Sequence, residues 1–184
     1  IYAPQVRIEA DPAWPAVDWR LTLGTPDANA LLDSQRIAVR PSRDRLQTYK
    51  GARWVDTAPE MVQLALTEAF EDSGKIASVS RWGGGRGDFA LYSDLRAFET
   101  VYEGDAPKVV VEIQARLVKS GQGGGLVGAR RFRAEVAPAG VEIEAVVAAF
   151  GEAMAQVNAQ IVGWTLVEGE RALSAPKPDA PAGK

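Results

Sequence analysis

The chain has 184 residues, of which 46% are hydrophobic, and a formal net charge of −3 at pH 7. A chain of this length can bury one sizeable core, and its acidic balance excludes the positive field of a non-specific nucleic-acid binder. His and Cys are both absent, which excludes imidazole-based catalytic relays and zinc sites built from thiolates or imidazoles.

The first third of the chain predicts an extended arm followed by strands. Three prolines within residues 1–15 favour extended backbone over helix. Apolar and polar residues then alternate over residues 17–24, which indicates a first strand. Residues 35–41 predict a short strand, and residues 44–55 predict two short extended pieces that meet at Gly51.

A first helix is predicted to begin at Ala58. Thr57, followed three residues later by Glu60, is a capping-box signature, and Pro59 is tolerated in a first turn, where its missing N–H costs little. Apolar residues then recur at helical spacing as far as Gly74, a residue type that is common just past the end of a helix. The pattern is amphipathic, so this helix packs on another element.

The second half of the chain predicts an antiparallel meander. Residues 75–82 predict a short strand, and after a glycine turn, GGGRG, residues 88–103 predict one long strand or two with a bulge near Ser93. Apolar and charged positions alternate over residues 108–118 and 126–136, which are joined by a glycine-rich loop. These two strands are expected to form a hairpin with one buried face.

A second helix is predicted after Gly140, ending at about Val162. The tail at residues 169–184 is rich in Ala and Pro and is predicted to be disordered. The elements between the arm and the tail predict one domain, residues 16–168. Its class is α/β (α+β): a single mixed sheet with an antiparallel meander and two main helices packed on it.

A basic block stands out in this acidic chain. Its cations flank the single acid Asp44: Arg36, Arg40, Arg43, Arg45, Lys50 and Arg53. Such a block is either a solvated face or a patch that meets acidic lipid headgroups or an acidic protein surface. On the second interpretation, charge reversal at Arg40, Arg43 and Arg45 weakens the capture of a partner without unfolding the domain.

Tyr49 and Trp54 lie beside this block, immediately before the first helix. Large aromatic residues at such a junction pin a helix onto a sheet. They could also stack nucleic-acid bases, but the net charge disfavours that partner. Asp and Glu residues are scattered over strand faces and turns, with no spacing that brings two into one pocket. The sequence therefore predicts no catalytic residues, no metal site and no cofactor.

The stretch RIAVRPSRDRLQTYKGARWVDTAPEMVQLAL, residues 36–66, resembles the central block of the ABC-type transport auxiliary lipoproteins, the family that includes the PqiC proteins. The shared pattern is a strand, a Tyr, a Trp five residues later, a Pro and then an apolar-periodic helix. Later segments follow in the same order: DFALYSDLRAFETVY, KVVVEIQARLV, RRFRAEV and IVGWT. The resemblance covers residues 17–166 and sets Tyr49, Trp54 and Pro59 on the positions where the family's chain starts its helix.

This resemblance implies a lipoprotein of the Gram-negative envelope, anchored through a lipidated Cys upstream of Ile1. It implies a non-catalytic role at the periplasmic face, with outer-membrane anchoring expected. The implied partners are an MCE-domain protein and an ABC permease and ATPase that move lipids or other hydrophobic compounds. The arm would then be a tether, the basic block a docking face, and the domain a scaffold that could form a homo-oligomer.

The alternative function is a periplasmic binding module that carries a lipid or other apolar ligand. Such a module would hold its ligand in a groove between helix and sheet. An apolar pocket of about 300 Å³ or more would favour this function, whereas a core without such a pocket would favour the scaffold.

Overall fold

The computed structural model describes residues 1–81 and 86–175, so the glycines 83–85 of the predicted turn lie outside the described residues. The strands are β1 (Leu21–Leu23), β2 (Asp27–Ala28), β3 (Arg36–Ser42), β4 (Arg45–Arg53), β5 (Val79–Arg81), β6 (Phe89–Glu103), β7 (Ala106–Lys119) and β8 (Gly125–Val136), and the helices are α1 (Ala58–Asp72) and α2 (Ile143–Ser174). These strands form one mixed sheet on which both helices pack. The predicted fold class is confirmed.

Strand β6 lies at the centre of the sheet. On one side β7 pairs antiparallel with it over its whole length, and β8 continues the meander beside β7. On the other side β1, β2 and β3 pair parallel with β6 one after another, at Phe89, Asp94 and Glu99. β5 extends the sheet beyond β1, and β4 extends it beyond β3 as a hairpin. The chain from β1 to β3 therefore runs parallel to β6 along its length.

The side of the sheet that faces the helices is apolar. Every second residue of β7 points into it, and each of these side chains is at most 1% exposed: Val109, Val111, Ile113, Ala115 and Leu117. On β8, Phe132 and Ala134 are buried beside them, and Val136 packs against the same core. The predicted inward positions of both strands are confirmed.

Helix α1 begins and ends where the sequence predicts. The Thr57 hydroxyl accepts a hydrogen bond from the N–H of Glu60 (3.5 Å), and Pro59 occupies the first turn. At the other end Ser73 is the capping residue, and Gly74 follows with a φ of 64°. Glycine adopts this left-handed conformation without steric strain. The predicted limits of the helix are therefore confirmed, but the capping box is half formed, because the N–H of Thr57 donates to the carboxylate of Asp56 (2.8 Å) instead of Glu60.

Helix α2 is longer than predicted. It runs over Ile143–Ser174 instead of ending near Val162. Residues 169–174, which the sequence assigned to a disordered tail, are therefore helical, and residues 176–184 lie outside the described residues. The helix continues because Leu166 is fully buried in the core, a tertiary contact that outweighs the weak helix propensity of the neighbouring glycines. By length and composition α2 could cross a membrane, but 61% of its apolar window is buried inside the domain, as in a core helix.

The N-terminal arm packs on the domain. The N–H of Tyr2 donates to the carbonyl of Arg53 (2.8 Å), and the N–H of Val55 donates to the carbonyl of Tyr2 (2.9 Å). The Tyr2 hydroxyl donates to the carboxylate of Glu144 (3.0 Å) in the first turn of α2. Residues 2–19, called the strap below, are thus held on the domain. The arm is not helical, as predicted, and it is packed on the domain along this segment.

Three glycines of α2 give the strap room to approach. A Cβ atom added at any of them would collide with an atom of the strap. The contacts are Gln5 on Gly151, Trp14 on Gly163 and Trp19 on Gly169. Because the contacts follow the same order along both segments, the strap runs parallel to α2.

Four strands differ in detail from the predicted ones. β5 covers only Val79–Arg81 of the strand predicted over residues 75–82, and Trp82 lies outside the described residues. The first strand is confined to β1, since Trp19 packs against α2 instead of pairing in the sheet. β4 continues through Gly51, whose φ of 74° accompanies an irregular register with β3, so the two predicted pieces are one strand. The bulge in β6 falls between Leu95 and Ala97 instead of near Ser93.

Replacement of Gly163 by Ala should lower the free energy of unfolding by about 1–3 kcal/mol, as at other overpacked sites. The reason is that the new Cβ would lie 2.6 Å from the Trp14 ring. In a Trp14→Ala background the same replacement should be neutral or stabilising by up to about 1 kcal/mol, because Ala is the better helix former. Urea unfolding of the four proteins measures the coupling. An equal effect of Gly163→Ala in both backgrounds would contradict the strap contact.

Candidate partner-binding surface

Strands β3 and β4 bring the basic block onto one hairpin at an edge of the sheet. Among the described strands β4 pairs only with β3, and the hairpin turns between Ser42 and Arg45. Residues 36–53 contain six basic side chains and one acid, a net charge of +5. Since the whole chain carries −3, the rest of it carries −8. The hairpin is therefore a cationic edge on an otherwise acidic domain.

Most cations of the hairpin have no counterion. Within residues 1–81 and 86–175, no carboxylate lies within the 4.0 Å of a salt bridge from the following side chains: Arg36, Arg43, Arg45, Lys50 and Arg53. Two of them, Arg36 and Arg53, lie directly opposite each other on the neighbouring strands. Like charges in this arrangement cost stability. The hairpin thus presents positive charge that the domain leaves uncompensated.

Arg40 differs from the other basic residues of the hairpin. Its Nε and Nη2 atoms donate to the two carboxylate oxygens of Glu99 (2.9 and 3.1 Å), and its Nη1 atom donates to the carbonyl of Arg43 (3.2 Å). The Glu99 side chain is only 12% exposed, and its hydrogen bonds raise the pKa of Arg40 above the ordinary value. Arg40 therefore links β3 to β6. Unlike the other basic residues of the hairpin, it is paired with a carboxylate and is not available to a partner.

The aromatic residues before α1 face the core. Trp54 is buried, and its ring meets Phe98 of β6 and Phe150 of α2 edge to face, with ring centroids 5.7 and 5.0 Å apart. Tyr49 is partly buried against the same core, where burial raises the pKa of its hydroxyl. Pro59 is buried in the first turn of α1. Trp54 thus joins the sheet to α2 and is not accessible for stacking on a ligand.

The exposed side of the sheet, opposite the helices, carries paired charges. Arg133 bridges Glu112 (2.8 Å) and Glu135 (2.6 Å), and Lys108 donates to Glu135 (2.9 Å). Hydrogen bonds from Lys108 and Arg133 lower the pKa of Glu135 below its ordinary value of 4.5. The ionised Glu135 therefore stabilises the fold above that value, and its contribution is lost as pH falls through the folded pKa. In contrast to the hairpin, this face neutralises its own charges.

Two open grooves flank α2. One lies between α2 and β8 and the other between α2 and the start of the strap, and each has a volume of about 460 Å³. Neither was predicted from the sequence. For the groove between α2 and β8 the available signal was Trp14 and Trp164, large aromatic residues outside the predicted apolar faces, and the other groove has no aromatic lining. The groove between α2 and β8 lies between a helix and the sheet, where the carrier hypothesis placed its ligand, whereas the other groove lies between α2 and the strap.

The carboxylates of the described residues are not arranged as a metal site. No group of three or more of them is placed to hold a metal ion. Those on strand faces contact basic side chains instead, as Asp94 does with Arg96 and Arg116 at 3.8 and 3.7 Å. The geometry thus offers a charged docking surface and two grooves as its candidate functional features.

Comparison with known proteins assigns the chain to a family. The family model described as ABC-type transport auxiliary lipoprotein component matches residues 1–162. The chain belongs to this family. The match includes the strap, the hairpin, α1 and the sheet, and it confirms the resemblance found in the sequence. The description of the family names an auxiliary lipoprotein component of ABC-type transport.

Solved structures of other proteins share the fold. Protein XCC0632 from Xanthomonas campestris is 39% identical, with a TM-score of 0.89 over 95% of this chain and 99% of that chain. CT253 from Chlamydia trachomatis, at 10% identity and a TM-score of 0.55, covers 82% of this chain and 96% of its own and shows the likeness of fold alone. The curated protein bll6063 of Bradyrhizobium diazoefficiens is 29% identical over 157 residues, which are 85% of this chain but 42% of that protein's length.

Arg40→Ala should lower the free energy of unfolding by about 1–3 kcal/mol, because it leaves the nearly buried Glu99 carboxylate without its charged partner. Arg43→Ala is the matched control on the same hairpin. It should change the free energy by less than about 0.5 kcal/mol, because the Arg43 side chain is exposed. Urea unfolding at pH 7 distinguishes the two variants. Similar losses would show that Arg40 does not anchor the hairpin.

Proposed function

We propose that this auxiliary lipoprotein is a non-catalytic docking subunit of an ABC-type system that transports lipids or other hydrophobic compounds. A lipid anchor upstream of Ile1 holds it at the periplasmic face of the outer membrane. Its partners are an MCE-domain protein and an ABC permease and ATPase, and the domain acts as a scaffold beside them. The family match over residues 1–162 carries this proposal.

The charge of the hairpin supports docking to an acidic partner surface. Its free cations lie at a sheet edge, where the outer backbone groups of β4 pair with no other described strand and bond to the strap only at Arg53. Charges of this kind raise the association rate with a partner of opposite charge and disfavour partners of like charge. Their effect on association rate and specificity is larger than their contribution to affinity. An acidic surface on a component of the transport system would therefore select this edge of the domain.

The position of the N-terminus supports an oriented docking surface. Tyr2 is hydrogen-bonded to Arg53 and Val55 at the base of the hairpin, so a segment that precedes Ile1 leaves the domain beside the hairpin. Because the strap is packed on α2, its residues do not lengthen the flexible segment between an anchor and the domain. A lipid anchor would then keep the cationic hairpin on the side of the domain nearest to the membrane.

The alternative function, a carrier of a lipid or other apolar ligand, is favoured by one observation. The two grooves of about 460 Å³ fall in the size range of small-molecule sites. However, such sites bury most of their ligand, whereas both grooves are open along the flank of α2. The geometry therefore favours docking over carriage.

Charge reversal on the hairpin should reduce partner capture. In the full-length lipidated protein, the combined change Arg43→Glu, Arg45→Glu and Lys50→Glu should lower the recovery of an MCE-domain protein from envelope extract by about tenfold or more. Each change removes an unpaired cation and adds a repulsive acid. Arg40 is left unchanged, so that the Arg40–Glu99 pair remains intact. Affinity capture followed by mass spectrometry of bound proteins and lipids measures the recovery.

The matched control reverses three exposed basic residues elsewhere: Arg7→Glu, Arg81→Glu and Arg86→Glu. It changes the net charge by the same amount and should leave capture unchanged. Equal recovery with the hairpin variant and with the unmodified protein would remove the hairpin from the docking surface. A lipid retained at about one per chain, without any transport protein, would make the carrier the better function.

A further inference from the structure

The groove between α2 and β8 has an aromatic floor. The Trp164 ring meets Phe132 of β8 edge to face, with ring centroids 5.6 Å apart, and it packs over Gly128, where a Cβ would lie 3.3 Å from the ring. Trp14 of the strap and the exposed Val167 of α2 line the same groove. Apolar surface that a domain leaves open in this way marks an interaction site.

Strand β8 borders this groove with an unpaired edge. Of the described strands only β7 pairs with it, so its 12 residues leave a row of backbone N–H and C=O groups on the outer side. Strands are usually about 5–6 residues long, which makes β8 a long template for pairing. A chain laid along this edge would continue the sheet and project every second side chain over the groove.

The groove also carries an unpaired positive charge. Arg130 is exposed, and its guanidinium lies over the Phe132 ring, 5.3 Å from the centroid. Among the described residues, no carboxylate lies within the 4.0 Å of a salt bridge from Arg130. The acid that lines the groove, Glu168, is paired with Arg171 at 2.9 Å. The complementary group on an occupant is therefore a carboxylate.

We propose that the edge of β8 and its groove bind an extended segment of a partner protein as an added strand of the sheet. Alternate apolar side chains of the segment fill the groove over Phe132 and Trp164, its backbone pairs with β8, and an acidic side chain meets Arg130. In this mode of recognition, main-chain hydrogen bonds supply affinity and pockets for alternate side chains supply specificity. The site lies on the opposite edge of the sheet from the cationic hairpin and does not depend on the proposed function.

Other occupants fit this edge less well. In a second copy of the chain, two β8 strands paired antiparallel about their centres would set Arg130 and Arg131 against the same arginines, and facing like charges are destabilising. A free amphiphile would pair its anionic group with Arg130 and cover the aromatic floor with its apolar chain. It would leave the row of backbone groups on β8 unpaired. The observations therefore favour a peptide in which apolar residues alternate with acidic ones.

A designed peptide tests this site. The probe is a terminally blocked octapeptide in which valine and leucine alternate with glutamate, and its counterpart has lysine in place of each glutamate. Titrated into the isotope-labelled chain, the acidic peptide should slow amide hydrogen exchange along β8 and shift the indole resonance of Trp164. The lysine peptide should bind about tenfold more weakly or not at all, because it meets Arg130 with like charge.

Two variants sharpen the test. Arg130→Glu should weaken binding of the acidic peptide by about tenfold or more. Arg81→Glu, an equal charge change at an exposed residue of β5, should leave binding unchanged. The proposal is overturned by equal binding of the two peptides, by an equal effect of the two variants, or by the absence of protection on β8 at millimolar peptide.

Two further outcomes would identify a different occupant. Self-association that protects β8 without peptide would assign the edge to a second copy of the chain. Binding of oleate in the groove, with no binding of the peptide, would assign it to an amphiphile. Either result would overturn the proposal. Because these readouts report on the β8 edge and its groove, their failure would not affect the hairpin docking, and the failure of partner capture would not affect them.

Discussion

Strand β6 is paired with β7 from Phe89 to Glu103, interrupted only by the bulge at Arg96, and the rest of the fold is arranged around this pairing. β1, β2 and β3 pair in succession along β6 and run parallel to it. Residues 21–40 therefore extend from one end of the sheet to the other. The Arg40–Glu99 pair joins β3 to β6 where the hairpin leaves the centre of the sheet. The cations that follow are therefore carried on a strand pair fixed at a defined edge.

The packing of the strap against α2 supplies the second constraint. A helix with three interior glycines is intrinsically weak, but here each glycine accepts a close contact from the strap. This packing holds Tyr2 beside Arg53, so the N-terminus and the cationic hairpin lie together. The N-terminus and the hairpin thus hold a fixed position relative to each other, as the proposed docking function requires.

Local signals predicted much of this fold, and long-range contacts account for what was missed. The limits of α1 follow from Thr57 and Gly74, and the buried face of β7 follows from strict alternation, since each depends on neighbouring residues alone. The extension of α2, the seating of the strap and the partner of Arg40 depend on residues far apart in the chain, such as Arg40 and Glu99, which are 59 positions apart, and have no local signature. The basic block was visible in the sequence, but only the structure separates its paired arginine from its free ones.

The most direct test of the account is a photo-crosslinking comparison in the full-length lipidated protein within its own envelope. A photoreactive amino acid would replace Arg43 at the tip of the hairpin or, in a second protein, Glu68 on the exposed side of α1. The account predicts cross-links from position 43 to a component of an ABC-type transport system, and none to such a component from position 68. Cross-links to that component from position 68 alone, or only to lipid from position 43, would contradict docking through the cationic hairpin.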